Sequence, residues 1–200
     1  MNKIKFIYFD IGGVMNDWSD YFKSAAKKHG ITVEDINSVW GEMDDDITRG
    51  KKGPKDYWQR VVKKFNLIDA DDFDFLESWI SDYRPRLEIH ELARKVSKKY
   101  EIGLISNLYN GMFPRLLELG IVADLDYSVV ILSNEIGLNK KDKEIFKIAT
   151  KKAGVKPSEI LLIDDRKDFL ENAKSLGWHT FWLDGKDVKG SVKKLEKLLL

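Results

Sequence analysis

Four places in this 200-residue chain carry side chains that could do chemistry together: Asp10, Ser106-Asn107, Lys140 and Asp164-Asp165. Asp10 ends the apolar run IKFIYF and is followed closely by Gly12-Gly13, while Asp164-Asp165 end the run ILLI. A carboxylate can attack phosphorus and form a covalent intermediate. Two or three carboxylates can hold Mg²⁺, a hard cation that takes oxygen ligands. A lysine, with hydroxyl and amide donors, can balance charge on the equatorial oxygens of a transferring phosphoryl group. Adjacent carboxylates beside a buried strand repel each other until a cation arrives. Each group also has a plainer reading. Ser106-Asn107 would serve as a helix cap, Lys140 as a surface lysine, and Asp10 as the polar turn after a strand.

The chemical reading depends on strands that bring these groups to one place. Residues 4–9 form a nearly continuous apolar run of strand length, as in a parallel strand buried on both faces. Residues 101–105, 128–132, 160–163 and 180–183 read as four more strands. A helix marked by Ile89, Leu92, Ala93 and Val96 precedes them, and helices over 113–119, 142–153, 168–176 and 188–199 alternate with them. This alternation predicts an α/β fold: a five-stranded parallel sheet with helices on both faces. Open sheets of that kind bind ligands outside the carboxyl ends of their strands. Asp10, Ser106-Asn107 and Asp164-Asp165 all stand at such ends, and Lys140 follows the third strand.

Between the first strand and the rest, residues 19–84 read as helices. Ser19 can cap one that runs to His29, with Gly30 as its stop. Ile36, Val39, Trp40 and Met43 recur at i, i+3, i+4, i+7, and the same spacing returns at Trp58–Phe65 and Leu76–Tyr83. Four amphipathic helices in succession suggest a small bundle inserted into the α/β core. The expected division is a core of 1–15 and 86–200 and a helical insert of 16–85. The stripes carry Trp40, Trp58 and Trp79, which suit core packing or an aromatic substrate wall. Residues 44–54 read as a loop, whose Arg49, Lys51 and Lys52 could meet a second anionic group or simply be solvated.

A formal charge of +1 with both signs interspersed gives no reason to expect nucleic acid or an anionic membrane as partner. The recurrent lysine pairs fit solvated helix faces. With no cysteine, a disulfide scaffold, a thiolate metal site and a cysteine nucleophile are excluded. No apolar run has the length to span a bilayer, so a cytoplasmic protein is the default expectation. His29, His90 and His179 fall away from the expected site edge and read as structural or surface residues.

The stretches FIYFDIGGVM, GLISN, GLNKKDKEIF and ILLIDDRKDFLENAKSLG resemble, in order and spacing, the four motifs of haloacid dehalogenase-like hydrolases. Most characterised members of that superfamily are Mg²⁺-dependent phosphatases. The resemblance covers about 1–18 and 86–200, and the helical insert sits where the family places a small helical cap. It implies a Rossmannoid core and a role for each position. Asp10 would be the nucleophile that becomes an aspartyl phosphate. The Gly12 backbone carbonyl would be a metal ligand, with Gly13 in the turn beside the phosphate. Ser106 would donate to the phosphate with Asn107 beside it, and Lys140 would pair with the phosphate and with Asp10. Asp165 would bind Mg²⁺, with Asp164 adjacent.

The chain departs from the pattern at several positions. Gly12 stands where the usual phosphatase has a second Asp as general acid/base. Lys141 and Lys143 stand where Pro is common, Arg166 where Ser is common and Phe169 where Asn is common. Arg166 could neutralise the carboxylates or point to solvent. The leading expectation is a phosphatase acting on a small phosphorylated metabolite, as a monomer or weak homodimer. The alternatives are a catalytically weak binding or regulatory domain and, further back, a 2-haloacid dehalogenase.

Overall fold

The computed structural model describes residues 4–200; positions 1–3 of the expected core lie outside the described residues. The chain starts with β1 (Phe6–Phe9), then β2 (Asn16–Asp17), and five helices follow: α1 (Lys23–His29), α2 (Val33–Asn37), α3 (Trp40–Thr48), α4 (Pro54–Phe65) and α5 (Phe75–Ser81). Then come β3 (Arg84–Pro85), α6 (Leu87–Val96), β4 (Glu101–Ser106), α7 (Met112–Glu118), β5 (Val129–Leu132) and α8 (Ser133–Ile136). The chain ends with α9 (Lys143–Ala153), β6 (Ile160–Asp164), α10 (Lys167–Ser175), β7 (His179–Trp182) and α11 (Val188–Leu199).

Five strands form one sheet in the order β5-β4-β1-β6-β7, and every pairing in it is parallel. β1 is central, which explains its unbroken apolar sequence: all four of its residues are buried. Its alternate side chains serve the two faces. Ile7 and Phe9 join one apolar cluster; Phe6 and Tyr8 join the other, under α9 and α10. Register sets the site. Phe9 lies opposite Ile163 and Leu104, so Asp10 comes next to Asp164 on one side and close to Ser106 on the other.

The helical insert leaves and rejoins the core through an antiparallel ribbon in which Asn16 faces Pro85 and Asp17 faces Arg84. It holds five helices, one more than the sequence pattern suggests. The stripe Ile36–Met43 is split between α2 and α3. Its i+3 spacing also suits a tight turn, and backbone bonds Val39 N to Ile36 O and Glu42 N to Val39 O close that turn. Ser38 reinforces the break by donating its hydroxyl to Asp35 O. Nor is the stretch 44–54 wholly a loop, since α3 runs on to Thr48. Its three acidic residues conceal a helical turn whose apolar member, Ile47, is fully buried. Each acid has a cation: Asp44 meets Lys141, Asp45 meets Arg49 and Asp46 meets Lys52. The first helix begins at Lys23 and not after Ser19, because Ser19 N–H instead turns back to Asp17 Oδ1. Among the described residues, no helix is long and apolar enough to cross a membrane.

Candidate active site

The parallel sheet delivers Asp10, Ser106 and Asp164 to one edge, and the loop after α8 delivers Lys140. Lys140 is the centre of the arrangement. Its side chain is 1% exposed, and its Nζ lies 2.7 Å from Asp10 Oδ2 and 2.6 Å from Asp164 Oδ2. The Lys140 loop is fixed by its backbone: Lys140 N donates to Asn107 Oδ1 (2.9 Å) and Asn172 Nδ2 donates to Lys140 O (3.1 Å). Asn107 thus positions the lysine. Ile11 N donates to Asp10 Oδ1 (2.7 Å), which fixes the other edge of that carboxylate. Asp164 Oδ1 accepts from Arg166 N (2.8 Å).

Burial alone would lower the Lys140 ammonium, but Asp10 and Asp164 overcome it and hold the pKa above its ordinary value. Burial pushes Asp164 upward against the pull of Lys140, and the Asp10 charge adds to the rise. Asp165 is pushed up to about 6, again by burial first and by Asp10 second. Carboxylate oxygens of Asp10, Asp164 and Asp165 lie within 4.8 Å of one another. One lysine cannot balance three carboxylates, and an all-oxygen donor set is the kind that hard divalent cations take.

The turn after β1 is shaped around that cluster. Gly13 has φ +77°, and a Cβ there would fall 2.1 Å from Asp165 Oδ2. Only glycine lets the backbone come this close to the carboxylate. The Gly13 carbonyl accepts from Arg86 Nη1, so the turn is tied to the exit of the insert. Gly12 is different: its φ is outside the left-handed region and no atom lies within 4 Å of its Cβ position. Gly12 and Asp10 line one cavity, whereas Gly13 and Asp164 are not among its lining residues. Ser106 is 1% exposed and lines the same cavity, its hydroxyl making a long 3.5 Å contact with Asn107 O.

Arg166 does not stand in for a metal. Its guanidinium pairs with Asp168 (2.7 Å) and lies 4.7 Å from the centre of the Phe169 ring. Arg49, Lys51 and Lys52 do not line the cavity either. Arg49 instead joins Asp45 (2.8 Å) to Asp142 (2.6 Å) and clasps the insert to the core. Of the histidines, His90 is buried with Nε2 3.0 Å from Met15 O, and His179 Nε2 lies 3.1 Å from Ser158 O.

The cavity, of about 360 Å³, is walled from above by the insert, with Trp18, Trp40 and Trp79 among its residues. Trp58 does not reach it and packs in the core, so the three stripe tryptophans divide between both readings. Sequence reasoning missed Asn16 and Tyr109, which also line the cavity. No motif marks either. Asn16 sits just past the GGVM turn, where a polar residue reads as the start of a loop.

No protein-family model matches the chain. A phosphatase from Mycobacterium tuberculosis is 25% identical to it over 98% of this chain and 95% of the relative. A glyceraldehyde 3-phosphate phosphatase from Methanocaldococcus jannaschii is 28% identical over 88% of this chain and 72% of that protein. A HAD family enzyme from Bacteroides thetaiotaomicron, solved with magnesium and inorganic phosphate, matches the fold with a TM-score of 0.73. It is 22% identical and the match covers 91% of this chain and 95% of that one. The four motif stretches converge on one edge of the expected sheet, and phosphatases align with nearly the whole chain, which supports its assignment to the haloacid dehalogenase-like hydrolase superfamily.

Proposed function

We propose that this enzyme is a Mg²⁺-dependent phosphatase that hydrolyses a small phosphorylated metabolite through an aspartyl phosphate on Asp10. The observation that carries the reading is the buried Lys140 ammonium between Asp10 and Asp164, with Asp165 across the Gly13 turn. Asp10, the Gly12 carbonyl and Asp165 would hold the cation, with Asp164 adjacent. Bound there, Mg²⁺ would neutralise charge on the carboxylates and on the phosphoryl oxygens.

The protein groups divide the remaining work. Ile11 N–H and Lys140 hold the Asp10 carboxylate in one orientation. A carboxylate oxygen forms a bond to phosphorus as the bond to the leaving oxygen breaks. Ser106 Oγ–H and Lys140 Nζ–H donate to the phosphoryl oxygens, where charge is spread in the transition state. The leaving alkoxide takes its proton from water, since Gly12 has no side chain to give one. Water then attacks the aspartyl phosphate at phosphorus, releasing inorganic phosphate and restoring Asp10. The helical insert acts as the cap, closing over this edge and keeping bulk water out.

The test is phosphate release from acetyl phosphate, with Mg²⁺ and with a chelator. Turnover that requires Mg²⁺ is expected. Gly12 also favours a second reading, 2-haloacid dehalogenation, but the Asp164-Asp165 pair gives that reaction nothing it needs. Halide release from a 2-haloacid without phosphate release would establish it instead.

A further inference from the structure

The part of the cavity beyond the carboxylates is aromatic, and its lining includes an unpaired buried amide, that of Asn16. Trp40 and Tyr109 meet edge to face with ring centres 5.5 Å apart, and Tyr109 stacks on Trp79 at 4.5 Å. Trp18 and Tyr21, which also line the cavity, meet at a tilt with ring centres 5.1 Å apart. Asn16 is 0% exposed and lines the same cavity, yet neither its Oδ1 nor its Nδ2 has a hydrogen-bond partner among the described residues. Buried amides are almost always satisfied, so an amide with both ends free beside a cavity points to a ligand.

The charges lining the cavity narrow the choice. Its cations are Lys140, Lys141 and Arg166, and each is already paired, with Asp10 and Asp164, with Asp44 and with Asp168. No free cation is left among them for a second phosphate or a carboxylate. The volume, about 360 Å³, is at the small end of the roughly 300–1,000 Å³ that ligand pockets span.

Resting on the phosphatase reading, we propose that the leaving group is an uncharged aromatic or heteroaromatic ring bearing a donor and an acceptor side by side, as a carboxamide or lactam does, with Asn16 pairing to that edge. The ring packs among Trp40, Trp79 and Tyr109, where its face is worth more than a hydroxylated chain. Sugar phosphates and bisphosphates lack the ring or carry a charge the wall cannot meet.

The test uses the full chain with Mg²⁺ and esters whose leaving alcohols are of similar basicity: ethyl phosphate, benzyl phosphate and the three isomeric carbamoylbenzyl phosphates. From ethyl to benzyl, kcat/KM is expected to rise by about tenfold, the scale of one well-packed ring. The best carbamoyl isomer is expected to gain about tenfold more, from two neutral hydrogen bonds. Asn16→Leu is expected to remove the second gain and keep the first. Its melting temperature should not fall, because it deletes an unpaired buried amide. Should Asn16→Leu not fold, Asn16→Ala gives the same comparison. Ethyl phosphate cleaved as well as benzyl phosphate, or a carbamoyl gain that survives both variants, would overturn the inference. If acetyl phosphate and every ester are inert, the phosphatase reading fails and the pocket is read by binding of benzamide. Saturable quenching of tryptophan fluorescence that Asn16→Leu weakens would then uphold the inference, and quenching that never saturates would overturn it.

Discussion

Lys140 keeps its charge where an isolated ammonium would be strongly disfavoured, because two carboxylates touch it. The third carboxylate, on Asp165, forms no ion pair among the described residues, and its pKa of about 6 lies above the ordinary 3.8. The sign of the pH effect follows. Between those values the folded metal-free protein holds a proton that the unfolded chain has lost, so stability falls as pH rises through that window. A bound cation needs the ionised form. Millimolar Mg²⁺ is therefore expected to raise the melting temperature more at about pH 7.5 than at about pH 5. An equal gain at both would show that the carboxylates do not bind the ion. The two glycines of the turn should respond in opposite ways. Gly12→Asp has space and an ordinary backbone, so the variant should fold. It should gain on alkyl phosphates, up to the roughly 10²–10⁴-fold of a positioned acid–base group. Gly13→Ala, with positive φ and a 2.1 Å clash with Asp165, should lose the Mg²⁺ response. Rates on ethyl and acetyl phosphate, with melting curves, check both. A folded Gly12→Asp with no gain on ethyl phosphate would place the proton donor elsewhere.

The loop that carries Lys140 is held by the insert as well as by the core. Next to Lys140, Asn139 Nδ2 reaches Asp45 Oδ1 and Thr48 Oγ1, both at 3.2 Å, and Lys141 meets Asp44 at 2.6 Å. Arg49 adds its bond to Asp142, and Ser133 donates its hydroxyl to Thr48 O. The C-terminal half of α3 and the Lys140 loop therefore move together or separate together. Arg49→Gln is expected to loosen the pair, with a stability loss of no more than about 1 kcal/mol. The expected signature is a higher KM with faster hydrogen exchange over residues 44–50, measured by mass spectrometry. Unchanged exchange there would mean that Arg49 is not part of the clasp. This clasp was not legible in the sequence. A run of three acids before TRGKKG has the composition of a solvated loop, and only tertiary pairing turns it into the end of a helix. The sheet strands and the longer helices of the core were legible, because buried parallel strands must be apolar throughout and their helices amphipathic; the short α8 was not.

Across the whole molecule, one apolar cluster runs from a face of the sheet, through Ile7, Phe9 and Leu104, to Phe22, Tyr57 and Trp79 of the insert. The insert thus packs on the core continuously and not as a separate bead, so the aromatic wall and the carboxylates share one cavity. The site's charged members could be read beforehand because topology dictates them: a parallel sheet brings all strand ends to one edge, however far apart in sequence. Asn16 and Tyr109 could not, since their importance lies in what they lack or face in three dimensions. The central claim is that Asp10 itself accepts the phosphoryl group. It is tested most directly by quenching the enzyme during turnover of acetyl phosphate with Mg²⁺ and reducing it with borohydride, which converts an aspartyl phosphate into homoserine. Peptide sequencing by mass spectrometry should then find homoserine at position 10, and none when Asp10→Asn is treated in the same way. Homoserine at another acidic residue, or an Asp10→Asn protein that hydrolyses acetyl phosphate at the parent rate, would contradict it.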